Sequence, residues 1–233
     1  MAFFIGRDRE ARRAYGFDEI ALVPGEVTVN PDEVDTSLVL GPVRLAIPFL
    51  ASAMDGVVDV EFAAAMGRLG GLGVLNLDGI NTRYEHPREV VAQIASADPD
   101  TATRLVQDLY RPPAKPDLIA QRVAEIKRAK APCAVSTVPQ NAEKYGPLAE
   151  EAGADIFFVQ STVATVRHKA TRYKPFDLAR FVKRMKIPVV VGNCVTTRVA
   201  LELMEAGAAG VLVGVGPGAA CTTRGVLGLG IPQ

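Results

Sequence analysis

The chain has no tryptophan, only two histidines and three cysteines in 233 residues, and no excess of either charge, with 26 basic against 26 acidic side chains. That balance, with a pI near 6.7, removes any general attraction to nucleic-acid phosphates or anionic lipid. The one basic cluster, residues 7–13, reads as a solvated face. Cys133, Cys194 and Cys221 are odd in number, stand in no CxxC spacing and lie in apolar neighbourhoods. They argue against a disulfide scaffold or structural zinc site and point to a reducing cytoplasm. Long apolar runs are missing too: the longest uncharged stretch, residues 206–223, is broken by Gly207, Gly210, Gly214, Gly216, Pro217 and Gly218, so it is not a membrane span. The amino terminus reaches Arg7 and Asp8 too soon for a signal-peptide core.

What remains is one domain's worth of apolar material, 48% of the residues. Short β-branched runs at residues 48–54, 73–76, 133–138, 155–160, 188–194 and 210–215 read as strands buried on both faces of a parallel sheet. Between them, Leu178, Phe181, Val182 and Met185 keep helical spacing, and Val199, Leu203 and Met204 follow a Thr196-Thr197 start that can cap a helix. Arg68-Leu-Gly-Gly, Glu151-Ala-Gly-Ala and Glu205-Ala-Gly-Ala each end a helix with glycine and lead back into a strand. This weak repeat makes an α/β fold, a (β/α)8 TIM barrel, the expected architecture. Residues 88–95, 101–110 and 117–130 are expected as helices, an excursion read as part of the barrel wall. About six of eight βα units are accounted for, so residues 1–233 are expected to be a single, partial catalytic domain from the amino-terminal portion of a longer enzyme.

The glycine-rich segment 214–233, with six glycines, can present backbone amides and carbonyls at close range to a ligand. Its Gly214-x-Gly216 lacks the rest of a dinucleotide fingerprint. Within it Cys221 is flanked by small and polar residues and by Arg224, on a loop leaving a strand's carboxyl end; it is either a nucleophile or a small buried hydrophobe. Cys133 and Cys194, inside or ending apolar strands, read as structural, and His86 and His168 as exposed loop or helix residues. Ser52, Met54 and Asp55, then Gln160, Ser161 and Thr162, then Asn193, fall at strand ends on the same edge as Cys221.

At Gly216-Pro-Gly-Ala-Ala-Cys-Thr-Thr-Arg224 the chain closely resembles the inosine monophosphate (IMP) dehydrogenase and guanosine monophosphate (GMP) reductase family. The likeness extends through Gly192-Asn193, Pro48-Phe-Leu-Ala-Ser-Ala-Met-Asp55 and Phe17-Asp-Glu-Ile-Ala-Leu-Val-Pro24. The resemblance implies a TIM barrel, usually tetrameric, in which Cys221 attacks C2 of a purine nucleotide and Thr223 stands near the reacting water or amine. It implies NAD as hydride acceptor in the dehydrogenase, making xanthosine monophosphate, and NADPH as donor in the reductase, which releases ammonia. Ser52, Met54, Asn193 and Ala219 match substrate-binding positions. Gln160, Ser161 and Thr162, with Gly214, Val215 and Gly216, match the edge facing nicotinamide. Carbonyls matching Gly216, Gly218 and Cys221 hold potassium in many dehydrogenases.

Two departures bear on chemistry. Ala219 replaces the family serine whose hydroxyl binds the substrate phosphate, and Gln160 replaces the usual aspartate of the cofactor-facing turn. The excursion lacks the inserted CBS regulatory modules, as in the divergent dehydrogenase-related branch. The family's ribose-binding aspartate and mobile flap have no counterpart up to residue 233, so the chain as it stands is expected not to turn over. IMP dehydrogenase is the leading expectation and GMP reductase the alternative. A catalytically silent nucleotide-binding or assembly partner is the alternative of another class.

Overall fold

Two short antiparallel hairpins precede the main sheet: β1 (Phe3–Phe4) with β2 (Glu10–Ala11), and β3 (Leu38–Leu40) with β4 (Val43–Leu45). There follow β5 (Leu50–Ala51), α1 (Val60–Arg68), β6 (Leu72–Asn76), α2 (Pro87–Ala95), α3 (Pro99–Leu109), α4 (Pro116–Arg128) and β7 (Ala134–Thr137). The chain continues through α5 (Pro139–Glu151), β8 (Ile156–Gln160), α6 (Leu178–Arg184), β9 (Val189–Cys194), α7 (Thr197–Glu205), β10 (Gly210–Val213) and α8 (Thr223–Leu227). This computed structural model describes residues 3–4, 7, 9–11, 13–171, 174–218 and 221–231.

Strands β5 to β10 pair in chain order as one parallel six-stranded sheet. With helices on its outer face it is a curled half-barrel, matching an incomplete (β/α)8 TIM barrel. Alternation along the strands separates two cores. Leu72, Val74, Ala134, Ile156, Phe158 and Val190 face inward and meet Leu45 and the half-buried Leu38, Leu40 and Val43 of the second hairpin. That hairpin plugs the amino-terminal mouth, since Gly41 abuts Pro188 at the start of β9 and Leu40 abuts Gly210 at the start of β10. Leu75, Val135, Phe157, Val159, Val189 and Val191 face outward onto Ile119, Val123 and Ile126 of α4, Tyr145 of α5, Phe181 of α6 and Leu203 of α7.

Side-chain caps fix where four of these helices begin: Asp59 accepts the Phe62 N–H, Asp98 that of Asp100, Asp177 that of Arg180, and Thr196 that of Val199. The expectation that the whole excursion belongs to the wall holds for α4 alone, which buries Leu118, Ile119, Val123 and Ile126. α2 and α3 bury no residue completely and pair with each other outside that layer. No helix among the described residues is long and apolar enough to cross a membrane.

Candidate functional site at the carboxyl rim

Parallel strands bring all their carboxyl ends to one rim. Ser52 follows β5, Gln160 ends β8, Asn193 lies near the end of β9 and Gly214 follows β10. Hydrogen bonds lock three of these positions together. Asn193 N–H donates to the Ser161 carbonyl at 3.0 Å, and Ser161 N–H to the Gly192 carbonyl at 2.9 Å. The Asn193 side-chain amide donates to the Gly214 carbonyl at 2.9 Å. The Gln160–Thr162 turn, Asn193 and the exit of β10 are therefore one backbone unit, and Gly214, Val215 and Gly216 are buried in it.

Beyond β10 the Ile231 N–H bonds back to the Val215 carbonyl at 2.9 Å, closing residues 215–231 into a loop. The Arg224 side chain runs across its base, so close that a Cβ on Gly230 would come within 2.3 Å of Arg224 Cγ. Gly216 turns the chain there with φ +66°, a conformation open to glycine at no steric cost. Cys221 is exposed on this loop, which removes the buried-hydrophobe reading, and its Sγ lies 3.3 Å from Oγ1 of half-buried Thr223. Hydrogen bonding from the Thr223 hydroxyl, then from its backbone N–H, holds the thiol below the ordinary cysteine range, and the Arg224 charge adds to this. The other two cysteines behave oppositely. Burial, with the Asp155 carboxylate nearby, pushes Cys133 up to about 12, and burial raises Cys194. Cys221 is thus the thiol suited to nucleophilic chemistry.

A cavity of about 520 Å³ opens beside the Ser161–Thr162 turn, between the start of α5, the end of β8 and the loop leading to α6. Val159, Val191 and Phe176 give it an apolar floor, and Glu143, Lys174 and Arg180 a charged margin. The Arg167–Glu202 ion pair ties its covering loop to α7. An apolar slot with a polar rim, meeting the Gln160–Thr162 turn, has the character of a small-molecule cavity. The carbonyls of Gly216, Gly218 and Cys221 are hard oxygen donors suited to an alkali cation; that of Gly218 also accepts the Cys221 N–H at 3.1 Å. Among the described residues no group of three or more His, Cys, Asp or Glu side chains could hold a metal ion.

Ser52 and Met54 stand exposed on the rim, and among the described residues no hydrogen bond joins them to Cys221. Ala219 lies outside the described residues. His86 and His168 are exposed, as expected. Two carboxylates carry more of the rim than the sequence announces. Asp78, just past β6, accepts from Thr137 Oγ1 at 2.7 Å, Val138 N at 2.8 Å and Asn141 Nδ2 at 2.6 Å, knitting β6, β7 and α5. Asp55 accepts from Ile80 N at 3.0 Å and Asn81 Nδ2 at 3.4 Å, and also from the Tyr110 hydroxyl. The partners lie 25 to 63 residues away in sequence; the only local signal was Asp55's place at a strand end beside Ser52 and Met54.

The family model of the IMP dehydrogenase / GMP reductase domain matches residues 14–233. The chain belongs to that family. An uncharacterized oxidoreductase of Mycobacterium tuberculosis is 41% identical over 235 residues, covering 98% of this chain and 63% of the relative. Inosine-5'-monophosphate dehydrogenase of Cryptosporidium parvum is 32% identical over 227 residues, covering 93% of this chain and 55% of the enzyme. Among solved structures, an IMP dehydrogenase/GMP reductase-like protein from Corynebacterium glutamicum superposes with a TM-score of 0.88 at 31% identity, covering 99% of this chain and 61% of its own. The chain thus spans less than two thirds of the length of these relatives. The comparisons show the IMP dehydrogenase / GMP reductase domain family and an incomplete TIM barrel.

Proposed function

We propose that the protein, at full length, oxidises IMP to xanthosine monophosphate, residues 1–233 supplying the nucleophile and much of the nucleotide seat. The observation that carries this reading is the exposed Cys221 thiol, lowered by Thr223, on the loop that leaves β10 at the carboxyl rim.

The Cys221 thiolate attacks C2 of the purine, forming a C–S bond; C2 then gives up its hydrogen with the electron pair, leaving a thioimidate on Sγ. Water, held by the Thr223 hydroxyl, adds to C2; the C–S bond breaks and Cys221 leaves as thiolate, the proton passing to solvent. NAD, when bound, supplies the acceptor for that hydride. Gln160, Ser161 and Thr162, with the buried backbone of Gly214, Val215 and Gly216, would orient its nicotinamide end, and the adjoining cavity would take another arm. Ser52, Met54 and Asn193 would hold the nucleotide, and Ala219 would line its phosphate side without a hydroxyl. Potassium, held by the carbonyls of Gly216, Gly218 and Cys221, would fix the Cys221 loop by its charge. Leu22 and Val23, 99% and 89% exposed, provide apolar surface for the homotetramer that belongs to this reading.

The test is an assay of the full-length protein with IMP and NAD, with GMP and NADPH in parallel. NADH formation from IMP supports the proposal; NADPH consumption with ammonia release from GMP replaces it with the reductase. Absence of both, together with no mass added at Cys221 by a C2-electrophilic nucleotide analogue, leaves a binding protein without chemistry.

A further inference from the structure

Helices α2 and α3, residues 87–109, add no fully buried residue to the molecule, yet their carboxyl end is anchored to the rim by polar contacts. Tyr84 donates its hydroxyl to the Leu109 carbonyl at 2.9 Å. The Arg83 guanidinium lies 5.4 Å from the centre of the Tyr110 ring and donates to the Pro112 carbonyl. Tyr110 itself, half-buried, reaches across 55 positions of sequence to donate its hydroxyl to Asp55 Oδ2.

Asp55 is the residue after Met54, inside a tight turn. Met54 N–H bonds to the Ser52 carbonyl at 2.8 Å, and the N–H groups of Val57 and Val58 both bond to the Met54 carbonyl at 2.9 Å. The carboxylate presses on the neighbouring loop so closely that a Cβ on Gly79 would lie 1.9 Å from Asp55 Oδ1. Ile80 N and Asn81 Nδ2 already satisfy this carboxylate from the barrel side. The Tyr110 hydroxyl is thus an additional donor, and it comes from an element with no other part in the core. Burial, reinforced by the bond to Asp55, raises the Tyr110 hydroxyl above its ordinary value, so it stays a donor across the physiological range.

We propose that Tyr110 is a positioning residue for the purine nucleotide: by fixing Asp55 it holds the Ser52–Met54 turn in the geometry that receives the base and ribose. The inference rests on the function proposed above. It makes the outer helical pair a brace for the substrate turn, whose loosening weakens nucleotide binding without altering the thiol or the cofactor seat.

Tyr110→Phe removes only the hydroxyl and keeps the ring against Arg83. In the full-length enzyme the variant is expected to raise the KM for the purine nucleotide about tenfold, leaving kcat and the KM for the dinucleotide within about twofold. A second readout needs no turnover: with 13C-methyl methionine labelling, the Met54 resonance, assigned by Met54→Leu, is expected to shift in Tyr110→Phe. A Met54 resonance that stays in place, or a nucleotide KM equal to that of the unmodified enzyme, overturns the brace even if the melting temperature falls. Absence of turnover with either nucleotide in the unmodified enzyme overturns instead the reading of the site on which the brace rests.

Discussion

Thr223 Oγ1 stands 3.3 Å from Cys221 Sγ, and this contact, more than the Arg224 charge, holds the thiol below the ordinary cysteine range. Thr223→Val removes the hydroxyl and keeps the backbone N–H, so the thiol rises part of the way back. The expected outcome is an upward shift in the midpoint of the pH profile for iodoacetamide alkylation of Cys221. The rate falls at neutral pH, where the thiolate fraction drops, and is unchanged at alkaline pH, where either protein is fully thiolate. Peptide mass mapping reads the site directly, because Cys133 and Cys194 are buried.

Gly79 has an ordinary φ of −101°, so its requirement for glycine is one of space: Asp55 Oδ1 occupies the place where a Cβ would go, 1.9 Å away. Gly79→Ala is therefore expected to displace the Asp55 carboxylate and cost about 2 kcal/mol, read as a lower denaturant midpoint at unchanged slope. Because the displaced group is the partner of Tyr110, the Met54 resonance should move in this variant as well.

The four central strands of the sheet, β6 to β9, were legible because each is buried on both faces, so its sequence is a short, largely apolar run rather than an alternation. The start of α7 was legible in Thr196, whose side chain caps it. Other elements left weaker traces. The β3/β4 hairpin has three-residue strands, too short for periodicity, and only its Gly41-Pro42 turn marks it. α5 carries Gly146 and Pro147 in its interior, residues that locally break a helix; packing of Phe181 against Gly146, within 2.7 Å of where a Cβ would stand, overrides them. In the candidate site, Cys221, Asn193 and the Gln160–Thr162 turn announced themselves by motif and strand-end position. The Tyr110–Asp55 bond could not, because nothing in a helix-ending tyrosine shows which residue 55 positions earlier it will meet.

Asp78 binds three donors with a single carboxylate, two of them on β7 and the turn that follows and one on α5. Asp78→Ala strands the Val138 N–H and the Asn141 amide in a partly buried site and is expected to cost about 3 kcal/mol. Asp78→Asn keeps one oxygen, and Asn141 can turn its own amide to meet the new donor, so about half that loss is expected. Urea unfolding gives the two values, and hydrogen exchange at Val138 should accelerate in the alanine variant.

Arg122 is 6% exposed and belongs to α4, yet three of its bonds leave the helix. Its Nε donates to the Asn81 carbonyl at 3.0 Å, and its Nη2 donates to the carbonyls of Tyr84 at 3.1 Å and Glu85 at 2.8 Å. Its Nη1 meets Glu125 at 2.9 Å. One guanidinium thus ties the barrel wall to residues 81–85, the same loop that supplies Asn81 to Asp55 and Arg83 to Tyr110. Arg122→Met preserves most of the volume and apolar stem but leaves those carbonyls unpaired and Glu125 without its cation, at an expected cost of about 3 to 4 kcal/mol. Arg122→Lys restores the charge but not the fork, since an ammonium cannot hold three carbonyls in that plane, and should recover less than half of the loss. If the wall and the loop move as one unit, both variants should also shift the Met54 resonance, more strongly for methionine than for lysine. A loss of stability with Met54 unmoved would place Arg122 in the wall alone.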